Sequence, residues 1–73
     1  MKYELGDLIT HLKYGRGIVL GNYHKRPDDN YYYHIKYDDG SFGYNRESSL
    51  TLRKVRTEET IRIAKNIVFK TIE

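Results

Sequence analysis

Residues 31–38 (YYYHIKYD), followed at once by Asp39-Gly40, constrain the fold of this chain more than any other segment. Aromatic and β-branched residues fit a pleated, half-buried surface, so this run is the strongest strand in the sequence. The Asp-Gly pair that ends it signals a hairpin of type I′, a turn that needs positive φ at both central positions. Residues 41–45 (SFGYN) then return as the partner strand. Successive strand side chains point to opposite faces. Tyr31, Tyr33, Ile35 and Tyr37 therefore share a face, directed inward by Ile35, while Tyr32, His34 and Lys36 are directed outward.

The rest of the body has the same grain. Residues 7–12 (DLITHL) alternate and end at Tyr14-Gly15-Arg16-Gly17, where the two glycines mark positive φ or a close backbone approach. Residues 16–24 (RGIVLGNYH) form a second strand with Gly21 as a bulge or bend. Residues 25–30 hold the single proline, Pro27, among turn formers and read as a hairpin loop. Residues 46–50 look like one helical turn, and 51–55 (TLRKV) a fifth short strand. Five short strands joined by tight turns predict a small, strongly bent barrel over residues 1–56. The period then changes. Thr57 caps a helix over 57–73, with Glu58 and Glu59 in its first turn suiting the dipole. Ile61, Ile63, Ala64, Ile67, Val68 and Ile72 fall on one side, and Arg62, Lys65, Asn66 and Lys70 on the other, with Phe69 among them. The apolar arc is wider than the roughly 100° that packing on one core needs. Its surplus either covers the open end of the barrel or faces a partner. Residues 67–72 (IVFKTI) also read as a strand.

Size excludes much. The chain has 73 residues, of which eighteen are Ile, Val, Leu or Phe. That suffices for one small domain with a few kcal/mol of net stability, and leaves little room for a deep catalytic cleft. Cysteine is absent, which removes disulfides, thiolate metal sites and a thiol nucleophile. The apolar stretch Ile18-Val19-Leu20 is far short of the roughly 20 residues of a membrane span. No apolar leader is visible at the N-terminus, so a soluble, cytoplasmic protein is expected. Charge is divided unevenly. Residues 1–52 carry seven Lys/Arg and seven Asp/Glu, and residues 53–73 carry six and three, so the whole net +3 lies in the tail.

The run Gly6-Asp7-x-Ile9-x-His11-x-x-Tyr14-Gly15-x-Gly17-x-Val19 resembles the opening G-D-x-V-x-H-x-x-F-G-x-G-x-V of the Tudor-like domain at the C-terminus of bacterial superfamily 1 repair helicases. Tyr33-x-Ile35-x-Tyr37-Asp38-Asp39-Gly40, followed by Leu50, resembles the V-x-F-x-D-G…L ending of Tudor and related SH3-like barrels. The likeness covers residues 5–55 and omits the helix. It implies a mainly β fold: a five-stranded SH3-like (Tudor-like) barrel, here with one C-terminal α-helix. It also implies a docking module, since such domains in the helicases and in CarD-type regulators bind bacterial RNA polymerase through protein contacts. The helicase motor is missing, so a barrel of this kind acts by binding alone. The Tyr-, Ile- and Lys-rich composition would suit a small phage-encoded regulator of transcription.

Two surfaces are candidates for the contact. The first is an aromatic and cationic strip of Tyr14, Arg16, Tyr32, His34, Lys36 and Tyr44, residue types that serve as interface anchors; the alternative is an ordinary polar outer face. The second is the basic set Arg53, Lys54, Arg56, Arg62 and Lys65 with Phe69, which either touches phosphates and stacks a base or is a solvated helix face. Direct nucleic-acid binding of KOW type is thus the alternative function. A third possibility is a homodimer, rather than a monomer, through the helix. Tyr14, Tyr37, Phe42 and Tyr44 resemble the positions from which eukaryotic Tudor domains build a cation-binding cage. His11 belongs to the H-x-x-F-G turn and is expected to brace it. His24 and His34 flank the loop with Asp28 and Asp29 but lack metal-ligand spacing. No nucleophile elbow or P-loop is present. The expectation is a non-enzyme without metal or cofactor, with a protein partner and no membrane.

Overall fold

The computed structural model describes residues 3–22 and 31–72. Strands β1 (Leu8–His11), β2 (Gly15–Asn22), β3 (Tyr32–Tyr37), β4 (Phe42–Arg46) and β5 (Leu50–Lys54) form one antiparallel sheet in the order β4-β3-β2-β1-β5. A 3-10 turn, Glu47–Ser49, joins β4 to β5, and helix α1 (Glu58–Ile72) ends the described chain. The expected loop at 25–30, with His24, lies outside the described residues.

Alternation builds the core as anticipated. Ile9 and His11 on β1, and Tyr33, Ile35 and Tyr37 on β3, are buried while their neighbours are only partly so. With Val19, Leu50 and Tyr3 the apolar members make one cluster, against which Tyr31 packs. Tyr3 is a core residue that strand periodicity does not reveal. Its hydroxyl donates to the Leu50 carbonyl at 3.1 Å, and its N–H donates to the Tyr33 hydroxyl at 3.2 Å. The two rings meet edge to face, with centroids 5.3 Å apart. Buried hydroxyls are tolerated because they are paired.

Two bulges break the ladders. The β2–β3 register shifts between Val19 and Gly21, as Gly21 foretold, and the β1–β5 register shifts between Leu8 and Ile9, which pair with Lys54 and Leu52. The 38–40 hairpin differs from the sequence expectation of a type I′ turn. Gly40 N–H donates to the Tyr37 carbonyl at 2.9 Å, and Tyr37 N–H donates to the Ser41 carbonyl at 2.8 Å. Three residues thus form the loop, with Gly40 in the left-handed region at φ 92°. That is the geometry of a turn followed by a glycine bulge. Asp39 stabilises it by accepting from both N–H and Oγ–H of Ser41, which holds its carboxyl below the usual range.

Helix α1 runs without interruption through 67–72, so the strand alternative for that segment is discarded. Thr57 caps it reciprocally: Thr60 N–H donates to Thr57 Oγ1 at 3.2 Å, and Thr57 N–H donates to Thr60 Oγ1 at 2.8 Å. The helix packs on β2. Ala64 is fully buried there, while Leu20 is buried outside the main cluster. Gly6 permits the approach. At φ 97° it takes a conformation that favours glycine, and a Cβ there would lie 2.9 Å from Ile61 Cγ1 and 3.0 Å from its Cα.

Candidate functional site

The outward residues of β3 and β4 pair across the strands as Tyr32 with Arg46, His34 with Tyr44, and Lys36 with Phe42. Each pair puts a basic side chain against an aromatic ring. The Arg46 guanidinium lies 5.8 Å from the Tyr32 ring centroid, and its Nη2 donates to the Tyr32 hydroxyl at 3.2 Å. His34 stacks on Tyr44 with centroids 4.6 Å apart and planes 17° from parallel. The Lys36 ammonium stands 5.5 Å from the Phe42 centroid. Cross-strand neighbours on one face interact directly, and cation–aromatic contacts hold both partners in place. The result is a three-rung ladder on the outside of the sheet. Phe42 and Tyr44 are about half exposed, and burial holds the His34 imidazole below its ordinary pKa.

Four of the six strip residues predicted from sequence, Tyr32, His34, Lys36 and Tyr44, therefore belong to one surface. Phe42 and Arg46 complete it. The signal for them was present, since period-2 reading of β4 places Phe42, Tyr44 and Arg46 together, but the pairing had to be known to use it. Tyr14 and Arg16 lie elsewhere, at the turn between β1 and β2 and the start of β2. Tyr14 is half exposed and rests on His11, with centroids 4.5 Å apart. His11 braces the turn as expected: its Nδ1 accepts from Lys13 N–H at 2.9 Å and from Tyr14 N–H at 3.2 Å. An acceptor nitrogen must be unprotonated, and burial, aided by the Lys13 charge, lowers the His11 pKa.

Of the four rings likened to a Tudor cage, three converge. Tyr14, Tyr37 and Phe42 line a hollow of about 320 Å³ with Ser41, Gly43 and Asn45. Tyr44 is not among them, because it stacks on His34. Tyr37 is buried, and its hydroxyl donates to Asn45 Oδ1 at 2.5 Å. Burial, with Tyr14 beside it, pushes its pKa up to about 12.

The basic set separates into three places. Arg56 is engaged within the molecule. Its backbone N–H donates to Asp7 Oδ1 at 2.8 Å, and its guanidinium reaches Asp7 at 3.4 Å and Glu4 at 2.8 Å. Glu4 N–H donates to the other Asp7 oxygen at 2.9 Å, so Asp7 ties the first turn to the segment entering the helix. Arg53 and Lys54 are exposed on β5, an edge strand on which every residue after Leu50 is exposed. Arg62, Lys65 and Phe69 do come together, around a hollow of about 400 Å³ that also includes Glu58, Ile61 and Asn66. Phe69 is 66% exposed.

A further groove, of about 360 Å³, runs between the helix and the ladder, lined by Lys36, Phe42, Ile63, Asn66, Ile67 and Lys70. Ile63, part of the surplus apolar arc, stays exposed beside it. Among the described residues, no group of three or more His, Asp or Glu could hold a metal ion, and no helix is long and apolar enough to cross a membrane. Comparison with known proteins found no matching family model, no matching characterised protein and no matching solved structure.

Proposed function

We propose that this chain is a small non-enzymatic docking module that binds a larger protein assembly through the outer face of β3 and β4. The cation–aromatic ladder carries this reading. Anchored rings with adjoining cations are the residue types that dominate protein interfaces, and their mutual contacts lower the entropy lost on binding. The strand order, the 3-10 turn before β5 and the buried cluster shared by β1, β2, β3 and Leu50 support an SH3-like barrel. The helix packs on β2 beside Lys36 and Phe42, while Tyr3 and Tyr31 pack against the inner cluster. With that barrel, the resemblance over residues 5–55 makes bacterial RNA polymerase the proposed partner and transcription the proposed process.

The test is retention from bacterial lysate on the tagged chain, with and without nuclease. Polymerase subunits should remain after nuclease treatment and be lost with His34→Ser/Tyr44→Ser. Retention of no polymerase subunit, or equal retention by the variant, overturns the assignment.

A second reading has its own observation. Exposed Phe69 beside Arg62 and Lys65 could stack a base of a single strand while the cations meet its phosphates. It requires affinity for an oligonucleotide that collapses as salt rises and with Arg62→Ala/Lys65→Ala. A flat salt response discards it.

A further inference from the structure

The two hollows flanking α1 differ in charge. The one around Phe69 places Glu58 beside Arg62 and Lys65. The groove against the ladder has two ammonium groups, Lys36 and Lys70, and no carboxylate among the described residues of its lining. Neither ammonium is ion-paired to a described residue. The same lining holds an apolar floor of Phe42, Ile63 and Ile67, with Phe42 48% and Ile63 44% exposed. At about 360 Å³ the groove lies within the roughly 300–1,000 Å³ range of clefts that enclose ligand groups.

The geometry points to an acidic peptide segment as the occupant of this groove. An apolar side chain of the segment sits on Phe42, Ile63 and Ile67, and carboxylates on either side reach Lys36 and Lys70. This rests on the docking reading above and names the chemistry of the partner. Charge complementarity selects the acid, because two ammonium groups with no ion-pair partner among the described residues attract and orient a negatively charged partner. The floor selects a peptide over a nucleic acid. Its two isoleucines offer no stacking plane, and the Phe42 ring already has Lys36 at 5.5 Å and His34 at 5.8 Å. Burial of an aliphatic or aromatic side chain removes water from all three floor residues at once.

The experiment is an amide chemical-shift titration of the isotope-labelled chain with a short peptide of glutamates around a central leucine. Three further titrants are the same peptide with serine for leucine, the same with lysines for glutamates, and a thymidine oligonucleotide. The leucine peptide should move the amides of Lys36, Phe42, Ile63, Ile67 and Lys70. The serine peptide should bind about tenfold more weakly, for loss of one buried side chain. Lys36→Glu/Lys70→Glu, whose unliganded spectrum shows that it is folded, should weaken the leucine peptide by at least about tenfold. Absence of binding, equal binding by the double variant, or tighter binding of the lysine peptide overturns the inference. Shifts confined to the Tyr14–Tyr37 hollow or to the Phe69 face overturn the groove assignment but leave the docking reading intact. Groove shifts produced by the oligonucleotide alone overturn both.

Discussion

Tyr33 and Tyr32 are neighbours on β3, yet Tyr33 is fully buried against Tyr3, whereas Tyr32 remains half-buried beside Arg46. The contrast extends along the strand. On the inner face the Tyr33 hydroxyl accepts from Tyr3 N–H and the Tyr37 hydroxyl donates to Asn45, while Ile35 needs no partner. On the outer face Tyr32, His34 and Lys36 pair with an arginine, a tyrosine and a phenylalanine that remain open to solvent. Similar side chains thus act as core or as contact surface according to strand phase. Aromatic content alone does not distinguish the two uses, because a tyrosine satisfies either environment once its hydroxyl is paired.

This comparison is broken most severely by truncation on the inner side. Tyr33→Ala should cost about 3–5 kcal/mol, comparable with the entire stability of so small a domain, and leave the chain largely unfolded by circular dichroism. Gly17→Ala attacks the same face from β2. Its Cβ would fall 2.7 Å from Ile35 Cγ2 and 2.9 Å from the Lys36 carbonyl oxygen, and urea denaturation should register a loss of about 1–3 kcal/mol. Tyr37→Phe keeps the ring but deletes the bond to Asn45, so the same measurement should show a loss of about 0.5–1.5 kcal/mol.

Acidity sharpens the contrast between two histidines. Both His11 and His34 have folded pKa values below that of the unfolded chain, near 6.5. The unfolded chain therefore takes up the proton first. Stability is complete above about pH 6.5 and declines as pH falls from there toward the lowered folded values. The thermal midpoint should drop on acidification. Most of that slope should vanish in His11→Gln, which removes the acceptor of two backbone N–H groups, and less of it in His34→Gln. Smallest of all, Tyr32→Ala on the outer face should cost no more than about 1 kcal/mol, the worth of one cross-strand pair. A loss as large as that of Tyr33→Ala would erase the distinction between the faces.

Strand phase was legible because it depends only on neighbours in the chain. The alternation over residues 31–37 separated core from surface, and the expected Thr57 cap began the helix. His11 was legible for the same reason, since its two donors, Lys13 and Tyr14, are two and three residues away. The hairpin at 38–40 was half legible: Asp-Gly marked its place, but which residues would pair across it chose a three-residue loop over type I′. What tertiary structure alone decided involves residues distant in sequence. Tyr3 enters the core because Tyr33 and Leu50 lie in reach of its polar ends. Arg56 leaves the basic surface because Asp7, forty-nine positions earlier, accepts its backbone and side chain. Phe42 borders both the Tyr14–Tyr37 hollow and the helix groove because β4 pairs with β3 while α1 lies alongside. Local periodicity sets the direction of each side chain. Sheet order and helix placement set what it meets, and those depend on burying the whole core together.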